Sequence, residues 1–110
     1  MIDWARVGEL RDEVGAEDFE EVVNLFLEEV EDVVNCLQNG RDPDALAAQL
    51  HFLRGSASNL GFQGFCTLCL EAEQKVAGGY ATAEDISEVL FAYFDAKAKF
   101  LEGLPAALAA

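Results

Sequence analysis

Apolar residues return every three or four positions along nearly all of this chain, and no stretch alternates apolar and polar with period two. A helix turns about 100° per residue, so that spacing gathers the apolar side chains on one stripe, whereas a half-buried strand needs strict alternation. The pattern predicts an all-α protein. A short segment over residues 3–14 carries Trp4, Val7, Leu10 and Val14 and stops at Gly15. The longest segment, 17–39, places Phe19, Val22, Val23, Phe26, Val30, Val33, Val34 and Leu37 inward. Further segments cover 43–60, 62–77 and 83–102; the last turns Ile86, Val89, Leu90, Tyr93, Phe94, Phe100 and Leu101 inward. Four long amphipathic helices on short turns predict an up-down-up-down four-helix bundle, and the short N-terminal helix lies across it with Trp4 as anchor. A chain of 110 residues has room for a single domain with a modest core.

The breaks are read from turn chemistry. Asn39-Gly40-Arg41-Asp42-Pro43 offers a glycine stop, a capping Asp and a proline for the first position of the next helix. Gly61 and the pair Gly78-Gly79 end two others, and Thr82 with Asp85 forms a capping-box-like start. Gly103-Leu104-Pro105 is read as the end of the last helix, with nothing to fix the tail after it.

Charge excludes one class of partner. The formal net charge is −14, and only seven Lys and Arg are present, so the clustered cations that a nucleic-acid backbone requires are missing. Glu17, Asp18, Glu20, Glu21, Glu28, Glu29, Glu31 and Asp32 crowd the outer face of segment 17–39, most simply as a solvated surface. No membrane segment or basic-apolar leader is visible, and a cytoplasmic protein is expected. Three cysteines, Cys36, Cys66 and Cys69, leave one unpaired in any intramolecular scheme, in keeping with a reducing compartment. Cys66-x-x-Cys69 lacks the further ligands of a metal site and the strand-to-helix setting of a redox motif, and Cys69 falls on the apolar stripe.

The only histidine lies in QLHFLRGSASNLG, residues 49–61. Leu46, Leu50, Leu53, Ala57 and Leu60 form the inner stripe there, so His51 points outward among Ala47, Ala48, Arg54 and Gly55. Asp44 and Glu71 bracket a stretch in which Arg54 is the one formally charged side chain. A glycine in a helix interior costs roughly 1 kcal/mol against alanine, so Gly55 suggests that something approaches the backbone there. An exposed imidazole is mostly unprotonated at neutral pH and presents a nucleophilic ring nitrogen. The Arg54 guanidinium, with its forked donors, suits a phosphoryl group arriving on that nitrogen.

H-x-L-R-G-S-A-x-x-L-G, with His51, Leu53, Arg54, Gly55, Ser56, Ala57, Leu60 and Gly61 in place, resembles the signature of histidine-containing phosphotransfer (HPt) domains. The resemblance runs on through Cys69 and Glu71. It implies that His51 accepts a phosphoryl group from the phospho-aspartate of a response-regulator receiver domain, or of a hybrid sensor kinase, and passes it to another receiver aspartate. Mg²⁺ is then expected on the receiver, with no cofactor or metal bound by this chain. No ATP-binding pattern is present, so the chain is not expected to make its own phosphoryl donor; the resemblance implies a phosphoryl carrier without kinase activity of its own, and a monomer is expected. Domains of this kind often carry a glutamine twenty-two residues after the histidine; here that position is Glu73, followed by Gln74. Glu73 is expected to pair with or orient Arg54, since a bare carboxylate would repel a phosphorylated ring. Ala48, Phe52, Ser58 and Phe62 are expected to form the docking surface. Two other readings fit the same residues: a non-catalytic helical adaptor, and the phosphoacceptor dimerisation segment of a sensor kinase.

Overall fold

The computed structural model describes residues 1–39 and 43–109, and it is a helical bundle: α1 (Trp4–Val14), α2 (Phe19–Asn39), α3 (Pro43–Asn59), α4 (Gln63–Gly78) and α5 (Ala83–Ala109). The capping role expected of Asp42 lies outside the described residues. The long helices form a rod about 45 × 21 × 20 Å, in which α3 packs most extensively on α4, α4 on α5, and α2 on both α3 and α5.

Each inner stripe advances by steps of three or four residues. In α2 it consists of Phe19, Val23, Leu27, Val30, Val34 and Leu37, all buried, while Val22, Phe26 and Val33 are half-buried beside it. In α5 it is Ile86, Val89, Tyr93, Ala96 and Phe100. Phe94 and Leu101, expected inside, are 42% and 46% exposed, because each stands one residue, or 100° of turn, beyond the stripe. Leu27 and Ala96 take core positions that the sequence reading did not assign.

The acidic face of α2 is not uniformly solvated. Buried Tyr93 donates its hydroxyl to Glu31 at 2.8 Å, and Lys97 reaches the same carboxylate at 2.7 Å. Burial pushes the Glu31 carboxyl up, but hydrogen bonds from Lys97 and Tyr93, with the Lys97 charge, outweigh it and hold the group below its ordinary range.

The N-terminal segment locks the turn between α3 and α4. Asp3 caps α1 through the Arg6 amide at 3.3 Å, its own amide donates to the Gly61 carbonyl at 2.7 Å, and Ile2 pairs with Phe62 in an isolated β-bridge. Gly61 has φ +76°, a conformation that side-chain-bearing residues rarely adopt, and a Cβ there would lie 2.6 Å from the Asp3 carbonyl oxygen. At the far end, Thr82 and Asp85 bond reciprocally at the start of α5, and Lys75 of α4 adds an ion pair to Asp85 at 2.8 Å.

The last helix does not end at Gly103-Leu104-Pro105; it continues to Ala109. Gly103 serves a contact rather than a stop. A Cβ at that position would stand 2.5 Å from the Trp4 ring, which stacks on Phe100 with centroids 5.9 Å apart and planes 4° from parallel. Leu104 packs against the core and carries the helix onward, while Pro105 withholds one amide where the Leu101 side of the helix is exposed.

Candidate functional site

The site is placed by what α3 hides. Leu50, Leu53, Ala57 and Leu60 are fully buried, and that fixes the rotation of the helix so that the His51 side chain stands 72% exposed on the opposite side. Ala47, Ala48, Gly55 and Ser58 are exposed around it, and Phe52 is 38% exposed. A Cβ built on Gly55 would meet nothing within 4 Å. The bundle itself therefore has no need of a glycine at that position. Ser58 continues this face toward a cleft of about 300 Å³ between α1 and the α3–α4 turn, which Arg6, Gly61, Gln63 and Cys66 also line.

Arg54 and Glu73 meet at the imidazole. Cys69 and Ala72 of α4 are buried, which leaves Glu73 at the edge of that helix's stripe with its side chain only 17% exposed. The Arg54 Nε donates to Glu73 Oε2 at 2.6 Å, and the other carboxylate oxygen, Oε1, lies 3.1 Å from His51 Nδ1. Arg54 Nη2 lies 3.0 Å from the same Nδ1. Sequence reasoning brought Glu73 to Arg54 but not to the ring, because it weighed only repulsion between a carboxylate and a phosphorylated imidazole. Gln74 is exposed, a further 100° around α4.

The two contacts at Nδ1 exclude each other as hydrogen bonds. An ionised carboxylate only accepts, so the contact with Glu73 requires a proton on Nδ1; a guanidinium only donates, so the contact with Arg54 requires a lone pair there. With the proton on Nδ1, the lone pair sits on Nε2, a nucleophilic nitrogen on an exposed side chain. With the proton on Nε2, no nucleophilic nitrogen is left at that outer position. The identity of the residue facing Nδ1 thus selects which ring nitrogen can react.

Two thiols lie beneath the pair. Cys66 donates to the Arg54 carbonyl at 3.4 Å, a support that no local sequence pattern announces. Burial, outweighing the nearby Arg54 charge, pushes the Cys66 thiol up. Burial chiefly, reinforced by Cys66 and Glu73, raises that of Cys69 to about 12. Neither is a thiolate at neutral pH, and among the described residues no group of three or more His, Cys, Asp and Glu is placed to hold a metal ion.

Phe62, expected on the docking surface, is instead fully buried, packed edge-on against Phe100 with centroids 5.2 Å apart and tilted against Tyr93. The left-handed turn at Gly61 and the bridge to Ile2 direct the Phe62 side chain inward. Phe62 closes the end of the core and takes no part in an outer surface.

Among the described residues, no helix is long and apolar enough to cross a membrane. No curated protein and no solved structure matches the chain. The family model of the Hpt domain, the histidine phosphotransfer module of two-component phosphorelays, matches residues 21–110. That span holds α3 and α4 with His51, Arg54 and Glu73, and the chain belongs to the Hpt domain family.

Proposed function

We propose that this chain is a phosphorelay intermediate that takes a phosphoryl group onto His51 from the phospho-aspartate of one receiver domain and delivers it to the aspartate of another. The observation that carries this reading is a 72% exposed imidazole whose Nδ1 faces Glu73 and Arg54, while among the described residues no hydrogen bond occupies Nε2. In the forward step the Nε2 lone pair attacks phosphorus, the acyl P–O bond breaks, and its electron pair remains on the aspartate carboxylate. Return to a second aspartate reverses the same exchange.

Arg54 is the phosphate-stabilising residue. Its Nε is anchored on Glu73 and its Nη2 lies beside the ring, so the terminal N–H groups of the guanidinium are held next to the imidazole that receives the phosphoryl group. The receiver supplies Mg²⁺ and most of the transition-state stabilisation, and this chain binds no cofactor of its own. Ala48, Phe52, Gly55 and Ser58 form the docking face, small and weakly polar enough for another protein to press its reactive loop against the ring. A carrier that must release each partner works through modest, transient interfaces, as a monomer in the cytoplasm.

Incubation with a phosphorylated receiver domain tests the reading. Wild-type protein acquires label, and His51→Gln acquires none while its circular dichroism and unfolding curve are unchanged. Equal labelling of both would remove His51 as the acceptor, and intact partner signalling by His51→Gln would favour the adaptor reading. A dimer on sizing would favour the sensor-kinase segment.

A further inference from the structure

Resting on that reading, the geometry points to Glu73 as a positioning residue that keeps a proton on His51 Nδ1 throughout the transfer cycle, so that the phosphohistidine is held in its protonated, transfer-ready form above neutral pH.

The argument begins with the leaving group. When the P–Nε2 bond breaks, its electron pair stays on Nε2. If Nδ1 carries a proton, the departing ring is neutral imidazole; if not, it is an imidazolate anion, a far poorer leaving group. Phosphorus meanwhile takes an oxygen from the acceptor: a carboxylate oxygen in transfer, or a water oxygen in hydrolysis, which sheds its proton to solvent and yields inorganic phosphate. Both outcomes are therefore fast only while Nδ1 is protonated. Formation needs no proton movement, since a neutral ring with its proton on Nδ1 becomes a protonated phosphohistidine directly on attack.

Glu73 is built to hold that proton. Its Oε1 lies 3.1 Å from Nδ1, its Oε2 is fixed by Arg54 Nε at 2.6 Å, and its side chain is 17% exposed, so the carboxylate is clamped and partly shielded from water. A carboxylate facing the protonated ring offsets its positive charge; a glutamine in its place could accept the same hydrogen bond but would not offset the charge. Arg54 Nη2, 3.0 Å from Nδ1, opposes the proton, so Glu73 has a competitor at the same nitrogen. Among the described residues, the hydrogen bonds and ion pairs to the ring come from Arg54 on its own helix and Glu73 on α4. The nearby thiols of Cys66 and Cys69 are pushed up by burial, so both stay neutral around neutral pH.

The test uses the full chain phosphorylated with phosphoramidate, a small donor that needs no receiver, and follows loss of phosphate from pH 6 to pH 10 by phosphorus NMR. An opposite charge at hydrogen-bond distance displaces a titration by about one unit or more. Wild type is therefore expected to stay labile to a pH about one unit higher than Glu73→Gln, a difference of roughly tenfold in rate at the alkaline end. Below both midpoints the two proteins should lose phosphate at similar rates. In the unphosphorylated protein, proton-nitrogen NMR should show the Nδ1–H tautomer in wild type and a shift toward Nε2–H in Glu73→Ala. Superimposable lability profiles for wild type and Glu73→Gln, or an Nε2–H tautomer in the wild type, would overturn the role of Glu73 while leaving His51 as the phosphoacceptor. Label on another side chain, or no label on His51, would overturn the phosphoacceptor itself and this inference with it.

Discussion

Two glycines on either side of the end of α3 are kept for opposite reasons. Gly61 is required by the molecule: its backbone is left-handed at φ +76°, and a Cβ there would strike the Asp3 carbonyl at 2.6 Å. Gly55, six residues earlier, is an ordinary helical residue with open space around it, and the fold would be better served by almost any other side chain. The first is explained by contacts inside the chain; the second has no such explanation and lies one turn from His51. Where a helix carries a defect that its own packing does not ask for, the reason is to be sought in what approaches from outside. On the same helix, the buried residues record what the bundle needs, and the small exposed ones answer to nothing inside it.

The largest test of this contrast is Gly61→Ala. It forces a side chain into a left-handed conformation and pushes the Asp3 carbonyl away, and with it goes the 2.7 Å hydrogen bond that ties the N-terminal segment to the turn. The expected loss is about 3 kcal/mol in urea unfolding, a large share of the stability of a domain of this size. Label uptake by the folded fraction should be unaffected, because the site lies farther along α3. A stability within 0.5 kcal/mol of wild type would mean that the N-terminal segment is not docked as described.

A second contrast runs along α2, between carboxylates the bundle uses and carboxylates it leaves to water. Glu31 accepts from Tyr93 and Lys97, whereas Glu28, Glu29 and Asp32 are exposed. The folded protein holds the Glu31 carboxyl below its unfolded value, so its contribution is complete above the ordinary carboxylate range and is lost as pH falls through the lower, folded value. Glu31→Gln should cost about 1 kcal/mol at pH 7, allowing for partial exposure, and the gap to wild type should close in acid as pH falls below the ordinary carboxylate range. Glu28→Gln should cost nothing measurable at either pH in this strongly acidic chain. Equal costs for the two substitutions would dissolve the distinction.

What was legible in the sequence divides along the same line. The fold class, the buried stripe of α3 and the outward histidine are local: they follow from spacing within single helices, and Leu50, Leu53 and Ala57 could be assigned without knowing their partners. Gly103 could not. It resembles a helix stop, and only the approach of Trp4, from the other end of the chain, reveals why it is a glycine. Phe62 was misplaced for a related reason, since the left-handed turn at Gly61 and the bridge to Ile2 turn it into the core. The candidate site stands between these cases. His51 and Arg54 share one helix face and are read from one motif, whereas the contact of Glu73 with the ring depends on how α4 rotates against α3, which no wheel of a single helix contains.

The smallest expected effect is the most discriminating, because its two readouts should move in opposite directions. Alanine at position 55 removes the glycine penalty from an exposed helix interior, and its Cβ meets nothing within 4 Å, so Gly55→Ala should stabilise the protein by about 0.5–1 kcal/mol. If the bundle alone determined this position, that gain would come without a functional cost, and a larger residue would be equally harmless. If the open space belongs to a partner, transfer from a receiver should slow with Gly55→Ala and fall further with Gly55→Leu, while label taken from a small phosphoryl donor is unchanged in both. The small donor separates the two causes, since it reaches the same nitrogen without laying a protein surface across α3. A stabilised Gly55→Leu that exchanges phosphoryl groups with receivers at the wild-type rate would show that the vacant face is not the one on which they dock.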